Sequence, residues 1–186
     1  MGQYYIAIIK RKDDIKEYSP SDYDNGYKLM EHSYQNNEFV NVVVNELIYS
    51  PARLAWVGDY ADPEDYKGTK SEELAVEFIE LRRVYDKYTE DGCIINCGPI
   101  YFINHTKKEY FELSKTKIKP DEDGVKIHPL PLLTAMGNGY GGGDYFGSCQ
   151  ELVGSWATDL IEVKYVLEEA NNYHNISDKI AFEEKY

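Results

Sequence analysis

Six glycines fall within eleven residues in the segment Gly137-Asn138-Gly139-Tyr140-Gly141-Gly142-Gly143-Asp144-Tyr145-Phe146-Gly147, which lies between two apolar runs. No regular helix or strand persists through such a stretch, because glycine gives up more conformational freedom on ordering than any other residue. The segment reads as a tight, irregular crossover. Positive φ and close backbone approach are open to glycine, so the same loop can aim several N–H groups at a phosphate or carboxylate. Gly139, Gly141, Gly142, Gly143, Asp144 and Tyr145 are therefore the candidate ligand-binding residues. A Walker loop needs Gly-Lys-Ser/Thr with a helix behind it, and a dinucleotide fingerprint needs a βαβ context; neither accompanies these glycines.

Tyr4 to Lys10 is nearly continuous in hydrophobicity and predicts an opening strand buried on both faces. Asp13 to Gly26 is polar, with Ser19-Pro20 and Asn25-Gly26 as turn signals, and reads as a loop with at most a short helical turn. Phe39, Val43 and Leu47 recur beside Val40, Val44 and Ile48, the wide apolar stripe of a helix capped by Asn36 or Asn37 and ended by Pro51. Arg53 to Val57 predicts a second strand. Thr69 and Glu72 have capping-box spacing ahead of Leu74, Phe78, Leu81, Tyr85 and Tyr88, a helical face running to Asp91-Gly92. Ile100 to Asn104 and Tyr110 to Leu113 flank a polar loop as a hairpin. Ile127 to Leu133 is apolar but broken by Pro129 and Pro131, which predicts a sheet edge or extended wall. Trp156 to Tyr165 reads as a last long strand, and Ser177 as the cap of a short terminal helix. The sequence of elements predicts an α+β fold in a single domain over residues 1–186, with a mixed or largely antiparallel sheet, two main helices and a β-hairpin.

With 33 acidic residues against 20 basic ones the formal charge is −13, which opposes direct binding of nucleic acid, since that binding depends on Lys and Arg displacing counterions. The basic runs Lys10-Arg11-Lys12 and Lys107-Lys108 are followed at once by Asp13-Asp14 and Glu109, so each reads as locally neutralised. An acidic surface instead favours a basic protein partner, because complementary fields speed encounter and fix register. No apolar run reaches the roughly 18–20 residues of a membrane span, and Met1-Gly2-Gln3-Tyr4-Tyr5 does not open like a signal peptide. The expectation is a cytoplasmic protein with no membrane contact.

Three cysteines do not make a disulfide framework, and the Cys93 to Cys97 spacing is one residue too long for a redox pair. Cys149 and His105 complete a zinc tetrad only on paper, and buried thiols acting as small hydrophobes are the plainer reading. No metal or other cofactor is expected. Asp59, Asp62, Glu64 and Asp65 follow a strand and supply hard oxygen ligands that Asp144 can join, although their spacing is not an EF-hand's and turn acids commonly serve local hydrogen bonds. His128 and the Glu31-His32 pair are the histidines nearest apolar runs, and a histidine beside a carboxylate can act as a general base. Ser155 lacks the second glycine of a nucleophile elbow. Eighteen tyrosines, against six Phe and two Trp, suit half-wet surfaces and protein interfaces. Asp59, Tyr60, Asp62, Glu64 and Asp65 are the candidate protein-binding residues.

Met1-Gly2-Gln3-Tyr4-Tyr5, Lys28-Leu29-Met30-Glu31-His32-Ser33, Trp56-Val57-Gly58-Asp59-Tyr60-Ala61-Asp62 and His128-Pro129-Leu130-Pro131-Leu132-Leu133 with its glycine loop resemble stretches shared by a group of uncharacterised small bacterial and phage-encoded proteins. The resemblance spans most of the chain to about Asp159 and implies a stand-alone prokaryotic or phage protein; it supplies no catalytic residue. Two functions are expected from different classes. The first is a non-enzymatic acidic binding module, of the kind a phage uses to inhibit a basic host nucleic-acid-binding or defence protein. The second is a small nucleotide- or phosphate-ligand enzyme using the glycine loop, with Asp59, Asp62, Asp144 or His128 for metal or proton chemistry.

Overall fold

The computed structural model describes residues 2–12, 14–83, 98–139, 141–167 and 172–184. Among them, eight strands form one sheet: β1 (Tyr5–Lys10), β2 (Ile15–Tyr18), β3 (Ala52–Gly58), β4 (Tyr101–Asn104), β5 (Glu109–Glu112), β6 (Ala135–Met136), β7 (Leu160–Lys164) and β8 (His174–Asn175). The order across the sheet is β2-β1-β3-β7-β4-β5-β8, with β6 paired to β3 off this path. β6 on β3 and β8 on β5 are parallel; every other strand pair is antiparallel. The helices are α1 (Leu29–His32), α2 (Glu38–Tyr49), α3 (Glu72–Arg83) and α4 (Pro129–Leu133). The fold is α+β, with α2 and α3 as the main helices and β4–β5 as the hairpin.

The central strands are covered on both faces, and their alternation decides which helix each side chain meets. Tyr5, Ala7 and Ile9 of β1 and Leu54 and Trp56 of β3 pack with Phe39, Val40, Val43 and Leu47 of α2. Ile6, Ile8, Ala55 and Val57 point the other way, onto Ala75, Phe78 and Ile79 of α3. Four valines in α2 each cost about half a kcal/mol in helix propensity. Burial of such a side chain returns roughly 1.5–3 kcal/mol, so packing overrides the local preference. Asn37 is the cap, its side-chain oxygen accepting the Val40 N–H at 3.2 Å.

Several sequence expectations are corrected. Residues 127–133 are not an extended wall: Pro129 and Pro131 occupy the first turn of α4, where their missing N–H groups would have had no partner, and His128 Nδ1 accepts the Leu130 N–H at 3.1 Å. The polar stretch after Asp13 contains β2, which folds back on β1. The last long strand is shorter than read, because Thr158 at φ +65° turns the chain and only Leu160–Lys164 is extended. Glu72 reaches back to the Gly68 N–H at 2.7 Å rather than boxing with Thr69. Ser177 begins a 3-10 turn without capping it; its hydroxyl bonds Asn175 Oδ1 and accepts the Glu112 N–H. Lys10 and Arg11 are neutralised from far away in sequence, Lys10 by Glu77 and Arg11 by the buried Glu46 at 3.0 Å, with Asp14 only a 3.8 Å neighbour of Arg11. Tyr85, Tyr88, Cys93 and Cys97 lie outside the described residues, as does Tyr140.

The first residues, the end of β3 and the end of β6 converge at one end of the sheet, through the registers Tyr5↔Gly58 and Val57↔Met136. That convergence places the glycine segment against Gln3.

Candidate functional site

The glycine loop closes on its own aspartate. Asp144, almost fully buried, accepts the Tyr5 hydroxyl on Oδ1 at 2.9 Å, and on Oδ2 both the Gln3 side-chain amide and the Gly141 N–H, each at 2.9 Å. Burial, then the neighbouring Asp144 charge, pushes the Tyr5 phenol far above its ordinary range, so it stays a donor. Gly142 bridges Gly2, and the Gly143 carbonyl accepts the Met30 N–H at 3.1 Å. A Cβ on Gly141 would fall on the Gln3 side chain and 2.7 Å from the Gln3 backbone nitrogen, so only glycine allows this approach. Gly139, at φ +69°, faces open space. Of the ligand-binding candidates, Gly141, Gly142, Gly143 and Asp144 are thus joined in one packed cradle that holds an internal carboxylate.

Tyr145 turns to other work. Its hydroxyl lies 2.7 Å from the Ser148 carbonyl and 3.0 Å from that of Glu183, and it accepts the Glu183 N–H at 2.9 Å. Its ring meets Phe182 edge-on with centroids 5.4 Å apart. The residue clamps the tail at 182–184.

The loops at 58–65 and 137–147 do meet, but around protein atoms. The fully buried Gln3 carboxamide lies between Gly58 and Gly137, where a Cβ on either would strike it, and its Oε1 has no hydrogen-bond partner among the described residues. Three acids of the first loop are engaged by protein groups. Asp59 Oδ1 accepts the Tyr4 N–H at 2.8 Å, Asp62 caps the 3-10 turn Pro63–Tyr66 by accepting the Glu64 N–H at 3.0 Å, and Glu64 pairs with Lys67 at 3.1 Å. Tyr60 is half-buried and Asp65 exposed. Asp144 is held in its cradle and does not join them, and among the described residues no three His, Cys, Asp or Glu side chains gather as metal ligands.

The histidines near apolar runs are structural. His32 is buried, with Nδ1 3.0 Å from the Gly26 carbonyl and Nε2 accepting the Trp56 indole N–H at 3.2 Å, which fixes it as the neutral Nδ1–H form. Burial lowers its pKa to about 4 and that of His128 to about 3. Glu31 turns instead to the Lys28 N–H. His105 bonds Tyr173 at 2.8 Å and Glu162 at 3.0 Å, and Cys149 Sγ faces the Lys179 carbonyl.

A groove that the sequence reading missed lies where the 119–127 segment meets the tail. Among the described residues it is lined by Asp121, Glu122, Asp123, Glu183 and Glu184, by the cation Lys119, by the exposed Pro120 and Val125, and by a floor of the half-buried Tyr34 and the buried Ile127 and Phe182, with a volume of about 770 Å³. Both walls are fixed. Asp121 accepts the N–H groups of Asp123 and Val125 at 3.0 and 2.8 Å and so closes its turn. Ile127 bridges Tyr34, Glu184 bridges Gly147, and the Lys117 N–H donates to the Ile180 carbonyl at 2.7 Å. Among the described residues none of the five carboxylates is in an ion pair. The signal was present only in two halves: a charged loop, Lys119 to Gly124, and a tail mixing acids with Phe182, which the fold alone brings together.

Compared with known proteins, the chain matches no family model, no curated protein and no solved structure. No helix among the described residues is long and apolar enough to cross a membrane.

Proposed function

We propose that this chain is a non-enzymatic, acidic protein-binding module of the cytoplasm whose partner is a basic protein. Its role is that of a phage-type inhibitor covering the basic surface by which a host nucleic-acid-binding or defence protein holds its own ligand. The observation that carries this reading is the set of carboxylates lining the groove, none of them in an ion pair among the described residues, in a chain of net charge −13. Uncompensated carboxylates around a concave apolar floor complement a lysine- or arginine-bearing surface, and long-range attraction raises the rate of encounter. The glycine cradle gives the enzyme reading less support, because the Gly141 N–H, one of the donors such a loop would offer an anion, is already spent on Asp144.

A displacement assay tests the proposal. A labelled DNA duplex is bound to purified basic nucleic-acid-binding domains, and the chain is titrated in at low and high salt. Release of the duplex at low salt that weakens as salt rises is the expected result; no release from any basic domain at low salt would refute it.

A further inference from the structure

Resting on that reading, we propose that the groove between residues 119–127 and 182–184 is the docking site for one extended segment of the partner, in which lysines or arginines alternate with apolar residues. The volume of about 770 Å³ lies within the roughly 300–1,000 Å³ of ordinary ligand clefts and suits a short peptide segment rather than a whole domain surface. The lining divides into two chemistries. The half-buried Tyr34 and the buried Ile127 and Phe182 form the floor, and the exposed Glu122, Asp123 and Glu183 and the half-buried Glu184 line the groove with them.

An extended chain sends successive side chains to opposite sides, so alternate apolar residues reach the floor while the basic ones between them turn toward the carboxylates. Asp121 has both its turn N–H groups to hold, which leaves the other four acids for a ligand. Val125, 40% exposed, adds an apolar contact at the surface of the groove. Among the described residues the lining sets five acids against one lysine, which repels nucleic acid. The Tyr145 clamp on Glu183 and the Asp121 turn set both walls before binding, so little ordering remains when the segment arrives.

Fluorescence anisotropy on the full chain tests this with two labelled nonapeptides of equal charge, one alternating lysine with valine and one alternating lysine with serine. The valine peptide binds at least tenfold tighter than the serine peptide if the floor contributes. The triple reversal Glu122→Lys, Glu183→Lys, Glu184→Lys weakens it at least tenfold. The equal change in net charge made by Glu73→Lys, Glu80→Lys, Glu151→Lys leaves it within about threefold. These positions carry no buried side chain, and far-UV circular dichroism checks that both variants remain folded. Equal weakening by both triples, stronger weakening by the second, equal affinity for the two peptides, or no binding of the valine peptide each overturns the groove as the site. The displacement assay above reports separately on whether the chain binds basic proteins at all.

Discussion

Acidification from pH 7 to pH 5 removes stability from this fold through two histidines that the native state keeps neutral. In the unfolded chain a histidine takes up its proton near pH 6.5, whereas His32 resists until about 4 and His128 until about 3. Both native values are depressed, so the stabilisation is complete above about pH 6.5 and is lost progressively as the pH falls toward the native values. At pH 5 each site lies about 1.5 units below its unfolded value, and 1.36 kcal/mol per unit gives about 2 kcal/mol each, or about 4 kcal/mol for the pair. That is a large part of the roughly 5–15 kcal/mol typical of a domain. Asp159 works in the opposite sense, its carboxyl raised by burial against the hydrogen bond from Asn104. Urea denaturation at pH steps between 5 and 7, followed by far-UV circular dichroism, measures the slope. The two histidines together contribute a slope of up to about 3 kcal/mol per pH unit near pH 5, less what Asp159 offsets. His128→Asn approaches half of that, because asparagine is a favoured helix cap and keeps an acceptor for the Leu130 N–H without titrating. Protonated His32 also turns an N–H toward the Trp56 indole N–H, so a change in Trp56 emission accompanies the loss. A flat stability profile over this range, or an unchanged slope in His128→Asn, would refute the reasoning.

Other substitutions read individual parts of the structure. Gly141→Ala drives a Cβ into Gln3 and its backbone and is expected to cost at least 2–3 kcal/mol, more than Gly139→Ala, where only the positive φ is penalised by about 1–2 kcal/mol. Thermal unfolding compares the two, at roughly 2–4 °C per kcal/mol for a chain of this size. Glu46→Gln leaves Arg11 and Lys16 without their shared carboxylate and lowers stability by about 2 kcal/mol in chemical denaturation, a figure reduced for the partial exposure of both cations. Asn37→Ala removes the cap of α2 and costs about 1 kcal/mol by the same measurement.

The parts of the fold legible in the sequence were those where burial and local pattern agree. β1 reads as buried on both faces because α2 and α3 cover it from either side, and α2 is visible because its stripe is wide and its cap is an asparagine. The hairpin was visible because polar residues separate two aromatic runs. Elsewhere a local rule pointed the wrong way. Prolines argue against helix in general, yet at the first turn of α4 they cost nothing, and only His128 acting as acceptor for Leu130 marks that start. Composition reads the glycine loop as a tight, irregular crossover able to aim N–H groups at an anion, but nothing local shows that Gln3 and Tyr5, more than 130 residues earlier, complete a cradle around its own Asp144. The groove was invisible for the same reason: its two acidic walls lie about 60 residues apart and acquire a common floor only through Tyr34, Ile127 and Phe182.

Carbodiimide cross-linking of the chain to the lysine–valine peptide, read by mass spectrometry, tests most directly whether basic partners settle in the groove. This reagent joins a lysine amine only to a carboxylate it already touches. Cross-links concentrated at Glu122, Asp123, Glu183 and Glu184 are the predicted result. Cross-links distributed over exposed acids elsewhere, such as Asp65, Glu73 and Glu80, in proportion to their accessibility would contradict it.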